Sequence, residues 1–278
     1  MSSRHVRRIV IPRGCRVARR PGRAVNAPEA LPVLIGAVAL AALVQGFGGF
    51  GFGIVAMSVA GLTTVALEPA AAVFNCVALA VVLVLLRVSR RQGVIWWKEA
   101  ILLLVGSFAG QPFGYAFILR TGDQPVFRLA LGLFLLAAGV HGLTARSQRR
   151  PWPRWTALPV GLFSGFLSGA FSTGGTPLIL FLYSRAADAR TMKATIQFIF
   201  AATLASRLLL IQFEGSGLTR ATGLAAAACA PVAFALMALG HRLSLRVTPR
   251  RFTQCVYAAI ALLGASIAIR AAVVWGPL

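Results

Sequence analysis

The first long apolar run of the sequence, residues 31–66, is too long for one straight membrane helix and is interrupted by glycines. As a continuous helix it would measure about 54 Å, whereas the hydrocarbon core of a bilayer is only about 30 Å thick. The interruption reads Gly46-Phe-Gly-Gly-Phe-Gly-Phe-Gly53. A chain with this run must therefore either bend within a membrane or use the glycines for something other than a plain span.

The amino-acid composition indicates that the chain is a membrane protein and not a soluble one. Hydrophobic residues make up 58% of the sequence and charged residues 12%, with a mean hydropathy of +0.80. A soluble domain carries about 25% charged residues, so this chain cannot cover itself with polar surface. We predict an all-α polytopic membrane protein with about eight transmembrane helices of about 20 residues each. The further apolar runs are 68–86, 100–119, 125–143, 156–183, 191–213, 218–240 and 252–275.

The formal net charge of +22 raises the alternative of nucleic-acid binding. The basic residues lie mostly in the N-terminal tail and in short loops between apolar runs, without an aromatic-basic module, so we interpret them as a topology signal and expect no nucleic-acid partner. Residues 1–30 lack the apolar core and cleavage site of a signal peptide. We predict a basic, disordered tail there, which is either an over-long start or an Arg-rich targeting extension.

A second interruption falls in the run 156–183, where Ser168-Gly-Ala-Phe-Ser-Thr-Gly-Gly-Thr-Pro177 contains helix-breaking residues. Each interruption is followed by a span, a loop and two further spans. Broken segments at matching positions of two halves are typical of secondary transporters. We therefore predict a first transmembrane repeat over 31–145, a basic cytoplasmic linker over 146–155 and a second transmembrane repeat over 156–278.

Loop charges predict the orientation of these halves. The basic loops 87–98, 146–154 and 241–251 are expected in the cytoplasm, and the loop near Glu214 outside. If both interrupted runs enter the membrane and return, the halves are inverted repeats with both termini outside, although the basic tail then breaks the positive-inside rule. If the first run crosses once, the tail lies inside and the inverted symmetry is lost. We favour the inverted arrangement.

The first glycines also match G-x-G-x-x-G, the dinucleotide-binding pattern, with Glu68 about twenty residues further on. That interpretation needs a preceding strand in a soluble βαβ unit, whereas a membrane-length apolar segment precedes these glycines. The helix dipole explains an acid at Glu68, next to a proline at a helix start. The sequence has no Walker-type phosphate loop, no recognisable catalytic constellation and no metal-ligand spacing among its four cysteines. We expect no enzymatic activity, no cofactor and no metal.

Two roles remain for the glycines. They can allow helices to pack closely, or they can open the backbone at a binding site, since non-helical backbone at membrane depth is tolerated where it lines a cavity. N–H groups and helix N-termini gathered at such a point suit an anion. The crowding of the glycines, and their recurrence beside Ser and Thr in the second half, favour the binding site.

Polar residues deep in apolar runs are the other candidates for this site. Asn75 and Gln197 occupy near-equivalent places and either line the cavity or form interhelical hydrogen bonds. Arg207 either attracts an anion or extends to the interface, and His141 is expected at the interface. The complete predicted substrate site is Gln45, Gly46, Gly48, Gly49, Gly51, Gly53, Asn75, Gly169, Ser172, Thr173, Gly174, Gly175, Thr176, Pro177, Gln197 and Arg207.

Both glycine motifs resemble those of the TauE/SafE family of membrane permeases, described as sulfite or organosulfonate exporters. The second motif reads Gly161-Leu-Phe-Ser-Gly-Phe-Leu-Ser-Gly-Ala-Phe-Ser-Thr-Gly-Gly-Thr-Pro177, and the segment 102–114 resembles the family's third-span G-x-x-x-G stretch. Pro231, followed by Gly240-His-Arg-Leu and a basic loop, resembles its penultimate span. The resemblance covers about residues 33–275.

The resemblance implies a multi-pass carrier in the bacterial inner membrane that exports small anions such as sulfite or organosulfonates by alternating access. A proton is the candidate coupling ion. Because the apolar runs contain no Asp or Glu that offers an obvious relay, such a proton would travel on the substrate, on a His or on a carboxylate near a helix end such as Glu68. The alternatives are a carrier of another small organic anion, and an accessory or assembly subunit whose glycines only pack helices.

Overall fold

The computed structural model describes residues 30–63, 65–91, 93–122, 124–144, 152–185, 189–214, 218–244 and 249–275. The predicted basic tail, apart from residue 30, and most of the predicted linker lie outside the described residues. Within these ranges the chain is helical and contains no strand. This confirms the prediction of an all-α fold.

The helices in the described part of the chain are α1 (Ala30–Gly48), α2 (Phe52–Gly61), α3 (Leu67–Arg90), α4 (Trp97–Thr121), α5 (Pro125–Thr144), α6 (Ala157–Phe171), α7 (Gly175–Ser184), α8 (Ala189–Glu214), α9 (Arg220–Ser244) and α10 (Pro249–Trp275). Of these, 7 are long and apolar enough to cross a membrane. The remaining helices, α2, α6 and α7, have only 10, 15 and 10 residues.

Both predicted interruptions are confirmed as helix breaks. The run 31–66 forms α1 and α2, with the first break at Gly49–Gly51, and the run 156–183 forms α6 and α7, with the second break at Ser172–Gly174. Gly49 and Gly51 have φ values of 76° and 103°, a left-handed backbone that costs other residues about 1–2 kcal/mol. Ser172 adopts the same region with φ 57°.

The helices pack in pairs that match across the two halves. α4 packs along α6 and α1 along α9, while α3 packs on α8 and α5 on α10. The spans α3, α4 and α8 are the most buried, whereas α9 and α10 keep most of their side chains on the outside. Large apolar side chains such as Leu239 and Leu262 are exposed there. In a chain of this hydropathy such a surface faces lipid.

Glycines form the close contact between α4 and α6. A Cβ on the α6 glycines would collide with the backbone of α4, and a Cβ on the α4 glycines would collide with the backbone of α6. These stripes repeat every fourth residue, the spacing that small residues use to bring membrane helices together. The same role falls to Gly46, against Met237 of α9, and to Gly240, against Leu43 of α1. The α4–α6 seam consists of Gly106, Gly110, Gly114, Gly161, Gly165 and Gly169.

Candidate functional site

The two helix breaks meet in the interior of the protein. A Cβ on Gly53, at the start of α2, would overlap the carbonyl oxygen of Ser172 in the second break. Beside this contact lies a cavity of about 70 Å³. One water needs roughly 10–15 Å³ by this kind of measure, so the cavity has room for a few waters or one small oxyanion. We call it the junction cavity.

The first break contributes mainly backbone to the junction cavity. Gly51 and Gly53 line it, together with the side chains of Gln45 and Phe50. Gln45 bridges the two ends of the break. Its Nε2 donates to the carbonyl of Gly49 (3.2 Å), and its Oε1 accepts from the N–H of Phe52 (3.2 Å). The N-terminus of α2 therefore lies at the cavity wall.

The second break contributes hydroxyl groups. Ser172, Thr173 and Thr176 line the cavity, and so do Gly174 and Gly175 at the start of α7. Thr173 is 2% exposed, and its Oγ1 has no hydrogen-bond partner among the described residues. A buried hydroxyl without a partner is costly unless something bonds to it, which makes Thr173 a candidate ligand contact.

Asn75 and Gln197 connect each break to the opposite half. Each is the ninth residue of its helix, α3 and α8 respectively. Asn75 Nδ2 lies 3.4 Å from Ser172 Oγ in the second break, and Gln197 Nε2 donates to the carbonyl of Gly49 in the first (2.7 Å). Asn75 lines the junction cavity, whereas Gln197 does not. The two predicted roles were to line the cavity and to form interhelical hydrogen bonds. Gln197 forms such a bond only, whereas Asn75 does both.

Arg207 lies one helical turn beyond Thr203, a residue of α8 that lines the cavity. It is 0% exposed, so its guanidinium does not extend to the surface of the protein, as one alternative had suggested. Tyr115 and Glu68 interact with it electrostatically. Its Nε and Nη1 atoms have no hydrogen-bond partner among the described residues. Thr203 and the neighbouring Ser206 of α8 form a layer with Gln111 of α4, because both are hydrogen-bonded to its side chain.

Gln111 joins three helices in this layer. Its Nε2 donates to the carbonyl of Thr203 on α8 (2.7 Å) and to Ser168 Oγ on α6 (3.3 Å), and its Oε1 accepts from Ser206. Such a network leaves no free donor on the amide. We therefore regard Gln111 as a structural partner of the cavity wall.

Not every predicted residue reaches the junction cavity. Gly46 and Gly169 lie in glycine seams, and Gly48 has only the ring of Phe50 near it. Gly49 provides a carbonyl for Gln197, as described above. The structure brings to the cavity Gln45, Gly51, Gly53, Asn75, Ser172, Thr173, Gly174, Gly175 and Thr176, and it leaves away from the lining Gly46, Gly48, Gly49, Gly169, Pro177, Gln197 and Arg207.

The cavity also contains residues that the sequence analysis did not select. Ser164 and Ser168 line it, and Ser164 Oγ donates to the carbonyl of Gly174. Ser164 and Ser168 are four residues apart, which places both on one face of α6, and Ser172 follows at the same interval in the second break. That repeat, beside the parallel stripe of glycines, was a usable signal. Phe74, Phe200 and Thr203 gave none, because ordinary apolar spans contain the same residue types at the same spacing.

The outlying predicted polar residues occupy the rim of the fold. His141 is exposed near the end of α5, in agreement with an interfacial position. Arg128, in the first turn of α5, donates to the carbonyls of Gly61 at the end of α2 and of Thr63 and Val65 beyond it. The described cysteines, Cys76, Cys229 and Cys255, are free. No group of three or more His, Cys, Asp or Glu suited to a metal occurs in the described ranges.

The junction cavity can hold an anion without a basic side chain in its wall. None of the described residues that line it carries a charge. Its polar groups are hydroxyls, two side-chain amides and the N-terminal ends of α2 and α7, whose first N–H groups have no partner within their own helices. A helix N-terminus attracts negative charge through those N–H groups and the aligned peptide dipoles. The arrangement suits the binding of a small anion.

The family assignment agrees with this architecture. The family model described as "Sulfite exporter TauE/SafE" matches residues 34–267, which is most of the chain and includes both helix breaks. No curated protein and no solved structure matches the chain. TauE/SafE is a family of membrane transporters and not a class of enzymes. The chain is therefore a polytopic membrane protein that belongs to the TauE/SafE sulfite exporter family.

Proposed function

We propose that this protein is a secondary carrier that exports small anions such as sulfite or organosulfonates across the bacterial inner membrane. One observation carries the proposal: both helix breaks meet at a single uncharged cavity, walled by two helix N-termini and a set of hydroxyl groups. Its volume of about 70 Å³ suits an ion of a few heavy atoms and is far below the roughly 300–1,000 Å³ of drug-sized pockets. The family's cargo is of this small class.

The proposed mechanism is alternating access, in which one half rocks against the other around the cavity. Residues 31–145 and 156–278 act as inverted repeats in this proposal. Its support is the reciprocal packing, with α4 on α6 and α1 on α9, and the reciprocal bonds of Asn75 and Gln197 to the opposite breaks. In this mechanism a relative movement of the halves opens the cavity at one end and closes it at the other.

We assign the binding contacts to the cavity-lining members of the predicted site. The N–H groups at Gly53 and Gly175, with the hydroxyls of Ser172, Thr173 and Thr176, would surround the oxyanion. Arg207 is assigned a different part: one turn beyond the wall, its cationic group would attract the anion as it leaves or enters the cavity. The hydrogen-bond partners missing from its Nε and Nη1 atoms support this assignment.

The test is radiolabelled sulfite flux in proteoliposomes, with and without an imposed pH gradient, against protein-free liposomes as the background. Thr173→Val is the informative variant, because it removes a hydroxyl that has no protein partner and keeps the shape of the side chain. We expect flux to fall several-fold while the melting temperature stays unchanged. Ser266→Ala, which removes an exposed hydroxyl on α10, is the matched control and should transport normally.

The same experiment separates the alternatives. Flux of a carboxylate in place of sulfite would support a carrier of another small organic anion. Well-folded protein that moves no anion of the panel would support an accessory or assembly subunit. The glycine seam between α4 and α6 favours that second candidate, because it shows that many glycines in this chain have a packing role.

The orientation of the proposed repeats has its own test. In a cysteine-free background, a single cysteine placed at Arg91 should react with a membrane-impermeant reagent only when the reagent is supplied on the cytoplasmic side. A cysteine at exposed Phe213 should react only from outside. Labelling of both positions from the same side would contradict the return of the run 156–183 to the cytoplasmic side, which the inverted arrangement requires.

A further inference from the structure

We propose that the junction cavity selects singly charged anions that still carry a hydrogen-bond donor, such as hydrogensulfite, over doubly charged anions such as sulfite or sulfate. This inference rests on the proposed function and refines it to the charge state of the cargo. Two independent features of the cavity carry it: the amount of positive charge at its wall, and the unpaired acceptor of Asn75.

The positive charge available at the cavity matches one negative charge. The described lining residues are all neutral, so the positive potential comes from the N-terminal ends of α2 and α7. Each helix N-terminus is equivalent to about half an elementary charge, which gives about one charge for the pair. A dianion would leave one charge uncompensated beside the rings of Phe50, Phe74 and Phe200, and burial of an unpaired charge is strongly unfavourable.

Arg207, the buried cation one turn beyond the wall, is not part of the cavity lining. Its electrostatic partners are Tyr115 and Glu68, of which Glu68 has the opposite charge. The wall that surrounds a bound ion is therefore neutral, and the proposed role of Arg207 concerns the entry and exit of the anion.

Asn75 presents an acceptor where an anion site would be expected to present donors. Its Nδ2 donates to the carbonyl of Ala71 (2.7 Å) and faces Ser172 Oγ (3.4 Å), so a flipped amide would place its oxygen against that carbonyl. The orientation is thereby fixed. Asn75 is 1% exposed, and its Oδ1 has no partner among the described residues.

An unpaired acceptor at this position discriminates between protonation states. The sulfite and sulfate dianions have only acceptor oxygens, and Asn75 Oδ1 would repel the oxygen placed against it, whereas methanesulfonate can turn its methyl group toward this atom. Hydrogensulfite has a hydroxyl that can donate to Oδ1 while its remaining oxygens accept from the helix N–H groups and from Thr173. The bound species would then carry its own proton, so no carboxylate relay in the membrane is needed.

The test measures binding to the purified full-length protein in lipid nanodiscs by calorimetry, over a pH series that spans the second ionisation of sulfite. Methanesulfonate is singly charged throughout the series, and sulfate is doubly charged throughout. If only the monoanion binds, the apparent Kd for sulfite rises about tenfold per pH unit above that ionisation, because the competent fraction falls. We expect the Kd for methanesulfonate to change by less than about twofold and sulfate to bind at least about tenfold more weakly.

Asn75→Leu tests the acceptor separately. Below the ionisation, the variant should bind hydrogensulfite about tenfold more weakly, the usual effect of one lost hydrogen bond. Its affinity for methanesulfonate, which has no donor, should stay within about twofold of the original. Cys76→Ala, the adjacent residue of α3 outside the cavity lining, is the matched control and should bind both anions normally.

The outcomes are distinguishable from failure of the proposed function. A sulfite Kd that is flat through the second ionisation, or sulfate binding as tight as that of methanesulfonate, would overturn the charge selection and leave an anion carrier in place. An equal loss of both anions in Asn75→Leu would overturn the role of the acceptor. If the original protein bound none of the three anions, the proposed function would fail as well.

Discussion

The two helix breaks occupy matching positions in the chain, yet they contribute different chemistry. The first break depends on backbone conformation, because Gly49 and Gly51 are left-handed and Gln45 bonds the segment to itself. The second break supplies side chains, with hydroxyls at Ser172 and Thr173. Breaks at matching positions of the two halves thus present different groups to the junction cavity, mainly backbone from the first break and hydroxyl groups as well from the second.

The short helices that follow the breaks are also held differently. α2 packs into the larger of the two apolar clusters, together with α3, α5 and α9, whereas α7 packs into a smaller cluster with the first turns of α4 and α8. At its far end α7 reaches Arg185, which pairs with buried Glu99 (3.6 Å). Because fewer apolar contacts give lower local stability, we expect the second break to be the more mobile one.

The strongest test of the contact between the breaks is Gly53→Ala. The new methyl group would overlap the backbone carbonyl of Ser172, which no rotamer change can relieve. We expect the free energy of unfolding to fall by about 3 kcal/mol, and transport to be lost. Gly48→Ala is the control, since only the ring of Phe50 is near, at 3.7 Å. Detergent-unfolding titrations measure both, and equal stability of the two variants would contradict the contact.

The next largest effect is expected at the far end of α2. Arg128 donates to the carbonyls of Gly61 (2.9 Å), Thr63 (2.7 Å) and Val65 (3.4 Å). Arg128→Met leaves these groups without their charged donor, and hydrogen bonds of this kind contribute about 2 kcal/mol. We expect a loss of that size in thermal unfolding. Arg120→Met, at the exposed end of α4, should change stability by less than about 0.5 kcal/mol.

A paired substitution compares the backbones of the breaks. Gly49→Ala should destabilise the protein by about 1–2 kcal/mol, because its φ of 76° is unfavourable for any side chain although the space is open. Ser172→Gly should leave stability within about 0.5 kcal/mol, because relief of its left-handed strain offsets the added freedom of the unfolded chain. Its transport should fall, since a cavity hydroxyl is lost. Equal destabilisation by both variants would show that the breaks do not differ in this way.

The smallest effect is expected for Gln197→Leu. The variant loses one hydrogen bond to the carbonyl of Gly49, which costs about 1 kcal/mol of stability. Because Gln197 does not line the cavity, anion affinity measured by calorimetry should stay unchanged. A large loss of affinity would indicate that this bond controls the shape of the cavity, and the two amides would then be equivalent in function.

Several features of the fold followed directly from the order of residues. The hydropathy and the low charge predicted membrane helices, because the backbone in lipid must satisfy its own hydrogen bonds. The glycine clusters at 46–53 and 169–175 predicted both helix breaks, because glycine has a low helix propensity and readily adopts other backbone conformations. Asn75 and Gln197 were recognised as a pair, since each follows a break by a similar number of residues. These properties depend on residues that are close together in the chain, so they can be predicted from the sequence.

Whether an individual glycine packs helices or lines the cavity does not follow from its neighbours in the sequence. Gly165 and Gly175 belong to the same motif, but the first meets the backbone of α4 and the second faces the cavity. Ser164 and Ser168 entered the site because the helix turns them away from that seam. The glycine stripe and the serine stripe of α6 both consist of small residues, so residue size alone left open which of the two meets α4.

The sequence by itself determined that this chain is a helical membrane protein with two broken segments, because hydropathy and helix-breaking residues act through the nearest turns and the surrounding solvent. Only the tertiary structure decided that the breaks touch, that Asn75 and Gln197 cross to opposite halves, and that Arg207 is buried beyond the cavity wall. Those features depend on which helix faces pack together. That choice results from the fit of small side chains over the whole interface, which no single stretch of sequence contains.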